Sequence, residues 1–340
     1  MHSQPTRSLA LAVMAALIPM SVSAQGKGPG RPPPLVLEEQ GSFFAGGQLT
    51  RIEHSAFGGA RPGTIWDGAM YVRYMIPPDH RRKPSIVLWS GGCHVGTSFE
   101  TTPDGREGWD QIFVRAGYSV YVVDATYRGR SPISAQSINA VRQGSAAPAT
   151  LPNLLTCDKE LAVDATPGFR LRGSNFPEEA MEQYLAQLVP DWFFSVYNGP
   201  APNSAALIDL LERIGPSVVL AHSQGGLSVY PTLKARPDLF QAYVAVEALG
   251  SCTAITPDYP TSVPILAMSG DPIYPGVPPP FGIENCKQVA QTHENLTVDY
   301  LPEHGILGNS HMMMMDRNNV QIARRIMEWI EAHVDLRPGR

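Results

Sequence analysis

The chain has 340 residues, 43% of them hydrophobic, and a formal net charge of -5 from 26 basic and 31 acidic side chains. That balance offers no basic face for nucleic acid or anionic lipid, so neither is expected as a partner. The length is large for one domain and normal for an α/β enzyme carrying an insertion.

Residues 1–24 combine a basic start at Arg7, an apolar run from Leu9 to Ile18 and the small-residue ending Val22-Ser23-Ala24. This reads as a removed export signal, because the run is shorter than the ~20 residues a spanning helix needs. No later segment is apolar over such a length, so no integral membrane span is expected. The four cysteines, Cys93, Cys157, Cys252 and Cys286, fit an oxidising compartment, periplasmic or extracellular, and sequence alone does not choose their pairing. No C-x-x-C or H-E-x-x-H spacing supports zinc, and neither metal nor cofactor is expected.

After a Gly- and Pro-rich lead-in from Gln25 to Pro34, strand-like runs cover Leu35 to Gln40, Phe43 to Ile52 and Met70 to Met75, an antiparallel start. Ser85 to Trp89 is apolar without alternation, the pattern of a strand covered on both faces. Trp109 to Ala116 predicts a helix closed by Gly117, and Tyr118 to Val123 the next buried strand. The irregular, Pro-rich stretch 131–203 predicts an inserted cap between two parts of a core domain, 25–130 and 204–340. Within it, Pro177 to Leu188 reads as helix, and the aromatic cluster Trp192, Phe193, Phe194 and Tyr197 either fixes the cap or walls an apolar substrate pocket.

Alternation then continues with a helix at Ala205 to Ile214, a strand at Ser217 to Ala221 and a helix after Ser223. Strands follow at Ala242 to Val246, Val263 to Met268 and Leu296 to Leu301. A final helix from about Asn318 to Val334 presents Val320, Ala323, Met327, Ile330 and Val334 on one face. Strands alternating with helices give an α/β fold, a mostly parallel twisted sheet covered by helices on both faces.

Ala221-His222-Ser223-Gln224-Gly225-Gly226 follows directly on the apolar strand. A serine at a tight strand-to-helix turn needs small neighbours two positions before and after, which Ala221 and Gly225 supply; this is the layout of a nucleophile elbow. The N–H of Gln224 would face the negative charge that develops on an attacked carbonyl. A second donor is expected from Ser90-Gly91-Gly92-Cys93-His94, as the N–H of Gly92 or Cys93.

A serine nucleophile needs a base and an acid behind it, in the chain order Ser, acid, His. His311 is favoured over His304 as the base, standing where a Gly- and Asn-rich loop is expected to enter a helix. His222 reads as a packing or hydrogen-bonding residue. Glu247 and Asp271 each follow a strand, and pattern does not separate them.

Several of these segments resemble one family. The stretch from Gly91-Gly92-Cys93 through Glu100-Thr101-Thr102-Pro103-Asp104-Gly105-Arg106-Glu107-Gly108-Trp109-Asp110, the later Arg128-Gly129-Arg130-Ser131, the elbow, and Gly308-Asn309-Ser310-His311-Met312-Met313-Met314 with Asp316-Arg317-Asn318-Asn319 are similar to the bacterial esterase 713 group of α/β-hydrolases. The resemblance covers about residues 40–335. It implies a Ser223, His311, Glu247 triad, setting Asp271 aside, and a disulfide between Cys252 and Cys286. The family's two adjacent, mutually bonded cysteines at the oxyanion turn are replaced here by Gly92-Cys93, which leaves Cys93 either free or joined to Cys157.

The expected activity is therefore cleavage of a small carboxylic ester or related acyl substrate through an acyl-enzyme, with Gln224 and Gly92 as oxyanion donors and Cys93 beside the substrate pocket. A lactonase, a C–C bond hydrolase acting on diketones with the same triad, and a non-catalytic binding protein on this scaffold are the competing readings. Oligomeric state, including a homodimer, stays open.

Overall fold

The computed structural model describes residues 32–52, 62–78, 80–148, 174–189, 201–248, 250, 252, 262–270 and 283–335. Eight strands, β1 (Glu39–Ile52), β2 (Gly63–Ile76), β3 (Ile86–Trp89), β4 (Val120–Asp124), β5 (Ser217–His222), β6 (Phe240–Val246), β7 (Ile265–Ser269) and β8 (Leu296–Tyr300), share one sheet. Their order is β1-β2-β4-β3-β5-β6-β7-β8. β1 and β2 run antiparallel to their neighbours, and β4 through β8 are parallel. The two strands expected over Leu35 to Ile52 are one, interrupted by positive φ at Gly46 and Gly47.

Successive strand residues point to opposite faces, and the apolar runs divide accordingly. Ile86, Leu88, Val218, Leu220, Val244 and Val246 enter one core, with Trp109, Phe113, Ile322 and Ile326. Val87, Trp89, Val219, Ala221, Tyr243 and Ala245 enter the other, with Leu207, Leu210, Val229 and Leu233. A strand buried on both faces needs no polar alternation, which is why these runs read as continuously hydrophobic. Each such Val or Leu side chain contributes about 1.5–3 kcal/mol on burial.

The helices are α1 (Trp109–Arg115), α2 (Ala135–Arg142), α3 (Met181–Ala186), α4 (Ala201–Ile214), α5 (Gly226–Ala235), α6 (Ile283–Ala290) and α7 (Asn319–His333). α1 and α7 cover the first face; α4, α5 and α6 cover the second. The buried stripe of α7 is Ile322, Ala323, Ile326, Trp329 and Ile330, whereas Val320 is 42% exposed. Ile326 follows Ile322 by four, and Trp329 and Ile330 follow Ile326 by three and four, which puts them on one face, and Val320 lies off it. The helical reading of Pro177 to Leu188 resolves into a 3-10 turn at Glu178–Ala180 followed by α3.

The stretch 131–203 follows β4, contains α2 and α3 and ends in the first residues of α4. Of its described parts, 174–189 lies against the core through Phe176 and Tyr184. Trp192, Phe193, Phe194, Tyr197, Cys157 and Asp271 lie outside the described residues. Among the described residues no helix is long and apolar enough to cross a membrane.

Candidate active site

The carboxyl ends of β3, β5, β6 and β7 lie along one edge of the parallel sheet, where ligands bind in folds of this type. β5 ends at His222, and Ser223 opens a 3-10 turn that leads into α5. Ser223 has φ 50, the left-handed region that costs a non-glycine residue about 1–3 kcal/mol and clusters at functional sites. Gly225 has no room for a side chain: a Cβ there would lie 2.7 Å from Trp89 Cδ1 and 2.8 Å from the Ser90 carbonyl oxygen. The turn is thereby pressed onto the loop after β3.

That loop, residues 90–95, meets the serine directly, since a Cβ on Gly91 would lie 2.8 Å from Ser223 Cβ and 2.9 Å from His222 Nδ1. Three successive carbonyls of the loop are held. Arg128 Nη1 donates to Gly91 O at 2.7 Å, His94 Nδ1 to Gly92 O at 2.5 Å, and the Val189 N–H to Cys93 O at 3.0 Å. Because Gly92 O only accepts, His94 carries its proton on Nδ1, and Nε2 accepts from the Tyr184 hydroxyl at 3.1 Å. Among the described residues nothing accepts the Gly92 N–H. Cys93 is buried, has φ 57 and is disulfide-bonded, so the expectation that it could be free is corrected.

β6 delivers Glu247, also at positive φ, with its side chain fully buried. Its Oε1 accepts from the Gly270 N–H at 2.9 Å, and its Oε2 lies 2.5 Å from His311 Nδ1. A carboxylate can only accept, so the Nδ1 proton is directed at Glu247 and Nε2 keeps its lone pair for a proton donor. Five residues beyond Glu247, Cys252 is bonded to Cys286.

His311 does not stand at a helix entry as expected from the sequence; turns occupy 311–315, and α7 begins at Asn319. Its rigidity comes from Asp316 instead. Asp316 accepts from the Ser310 N–H at 2.8 Å, the Ser310 hydroxyl at 2.6 Å and Asn309 Nδ2 at 3.0 Å. Burial raises the Asp316 pKa from 3.8 to about 7, against the lowering effect of those hydrogen bonds. Arg106 then fixes the backbone of the same segment, donating to Asp316 O at 2.9 Å and Met315 O at 2.7 Å.

His222 links the His311 loop to the Ser223 turn. Its Nε2 donates to the His311 carbonyl oxygen at 2.8 Å, and the two rings lie 4.5 Å apart. Burial, and then the neighbouring His311 and His94, hold its pKa well below the usual 6.5, so the ring is neutral. The Ser223 hydroxyl itself makes no hydrogen bond among the described residues. His304 stands apart, paired with Asp299. Among the described residues no cluster of three His, Cys, Asp or Glu side chains could hold a metal ion.

Comparison with known proteins follows the same lines. No protein-family model matches the chain. The probable secreted lipase phiG of Fungal sp. (strain ATCC 74256) is 29% identical, with 77% of this chain and 85% of the relative covered. The atomic-resolution structure of a bacterial esterase superposes with a TM-score of 0.79 at 36% identity, covering 90% of this chain and 99% of the other. A superposition over nearly the whole of both chains at that identity, on an eight-stranded, mostly parallel sheet, establishes that the chain belongs to the esterase family of α/β-hydrolases represented by that structure.

Proposed function

We propose that the chain hydrolyses small carboxylic esters through an acyl-enzyme carried on Ser223. His311 Nε2 takes the Ser223 proton as the oxygen attacks the carbonyl carbon, and Glu247 orients the ring and stabilises the imidazolium. The tetrahedral oxyanion accepts from the N–H groups of Gln224 and Gly92. Collapse expels the alcohol with the proton from His311. Water, deprotonated by the same ring, then cleaves the acyl–oxygen bond and releases the acid.

The observation that carries this reading is the His311 Nδ1 to Glu247 Oε2 contact at 2.5 Å, with the same histidine tied by its carbonyl to the residue before Ser223. Catalytic hydrogen bonds are commonly long without substrate and tighten in the Michaelis complex, which accommodates the unbonded Ser223 hydroxyl. Segment 174–189, touching both the oxyanion loop through Val189 and the His311 loop through Asn175, acts as part of a cap over the pocket. Export is supported by the Cys252–Cys286 bond, the bonded state of Cys93 and the name of the secreted relative.

Mass spectrometry of the enzyme quenched during turnover of an activated ester should find the acyl group on Ser223. Ser223→Ala should lower turnover roughly 10⁴- to 10⁶-fold, the scale of triad removal. Undiminished turnover in that variant ends the proposal.

A further inference from the structure

A single buried guanidinium ties together both halves of the oxyanion pocket. Arg128 is 4% exposed and sits in the turn just past the end of β4. Its Nη1 donates to Gly91 O at 2.7 Å, with a longer contact to His94 O at 3.4 Å, and its Nη2 donates to Gln224 Oε1 at 2.7 Å. Gly91 and Gln224 flank the serine from different strands. We propose that Arg128 is the positioning residue of the oxyanion pocket, a fork that fixes the Gly92 and Gln224 donors relative to each other; this rests on the ester-hydrolase reading above.

Peptide geometry carries the first step. The Gly91 carbonyl and the Gly92 N–H belong to one planar trans unit and point in opposite directions. Drawing the carbonyl onto Arg128 turns the Gly92 N–H away from Arg128, and among the described residues that N–H has no acceptor. A cation on the carbonyl also polarises the peptide, which makes its N–H a stronger donor. Polarisation of this kind counts most when the oxygen facing that N–H becomes an anion.

The second arm acts on the elbow. Gln224 is the residue whose backbone N–H would supply the other donor, and its side chain is held by the same guanidinium. A guanidinium presents its N–H groups in a rigid plane, so two bonds to one fork define a separation that a lysine ammonium cannot reproduce. The turn bearing Arg128 is itself fixed. The Thr126 N–H and hydroxyl bond to Asn203 Oδ1 at 2.9 and 2.8 Å, and Asp124 Oδ2 accepts from the Arg130 N–H at 2.9 Å.

The experiment compares Arg128→Met, Arg128→Lys and Arg128→Ala with wild type. It measures kcat and KM on an activated ester and inhibition by a trifluoromethyl ketone, whose adduct with the serine oxygen is a hemiketal oxyanion. Arg128→Met should lower kcat about 10²- to 10³-fold, the scale of losing one oxyanion donor, with KM within about threefold of wild type. Ketone affinity should fall by a comparable factor. Arg128→Lys should recover only part of the loss, and added guanidinium ion should restore activity to Arg128→Ala but not to Ser223→Ala.

Wild-type kcat and ketone affinity in Arg128→Met would overturn the proposal. So would a loss in which kcat, KM and melting temperature change together and guanidinium rescues nothing, because that is the signature of a packing role alone. If Arg128→Met does not fold, Arg128→Lys and the rescue of Arg128→Ala decide on the same criteria. Labelling of wild-type Ser223 by a fluorophosphonate separates the two levels: no labelling defeats the parent reading, whereas labelling with unaffected Arg128 variants defeats only this one.

Discussion

His222 Nε2 donates to the main-chain carbonyl of His311 at 2.8 Å, so the residue before the serine holds the backbone of the residue that would deprotonate it. The contact needs a proton on Nε2, and it is burial, more than the contact, that keeps the ring from taking a second one. Below the usual value of 6.5 the unfolded chain binds a proton that the buried ring refuses, so this group makes stability fall as pH falls through that value. His222→Phe keeps an aromatic ring and removes the titration. It should cost about 1–3 kcal/mol at neutral pH by leaving the His311 carbonyl unsatisfied, and should show a shallower loss of stability on acidification. Melting curves from pH 8 to pH 4 test this, and a wild-type slope in the variant would contradict it.

Asp316 acts in the opposite direction. Its pKa rises from 3.8 to about 7 on folding, so within that window the folded chain keeps a proton that the unfolded chain has released. Its contribution to stability therefore declines as pH rises from about 4 to about 7 and is level above that. Asp316→Asn is neutral throughout and can still bond Ser310 and Asn309. The melting temperature of the variant relative to wild type should climb across the window, and a constant difference would show that Asp316 does not titrate there.

Glu247 uses one oxygen on Gly270 N–H and the other on His311 Nδ1. Glu247→Gln preserves an acceptor for Gly270 and turns an NH2 toward Nδ1, which drives the imidazole to the tautomer whose Nε2 carries the proton. Turnover should fall roughly 10³- to 10⁴-fold, as for the equivalent carboxylate-to-amide change in serine triads. Folding should be little changed. Asp271→Asn should leave turnover near wild type, and the reverse ranking of the two variants would move the acid to Asp271.

The double-sided strands and the elbow were legible because burial on both faces and steric room around Ser223 restrict residue type directly. Ala221, Gly225 and the apolar runs carry that information locally. Pattern did not separate Glu247 from Asp271, since both follow strands; the resemblance favoured Glu247, whose contact with His311 spans 64 residues and leaves no local signal. Arg128 was visible only as part of an Arg-Gly-Arg-Ser string, because its partners Gly91 and Gln224 lie 37 and 96 residues away. Asp316 followed a run of four methionines and gave no periodic signal. Its importance comes from being buried with three donors aimed at it. Val320 was misplaced because one apolar residue off the α7 stripe does not disturb the helical period.

The Cys252–Cys286 bond closes a loop with a sequence separation of 34, running from just after Glu247 to α6 and including β7. Restricting the unfolded chain over that length contributes about 3–4 kcal/mol in the chain-entropy description. Glu247 itself is held by Gly270 and His311 rather than by the cysteines, so stability and catalysis should separate. The double variant Cys252→Ser with Cys286→Ser should lose about 3–4 kcal/mol in urea unfolding while keeping kcat near wild type. The variant is more informative than a reductant, which would also open the disulfide at Cys93 within the loop 90–95. Loss of turnover in step with stability would mean that the bond also holds the carboxylate in place.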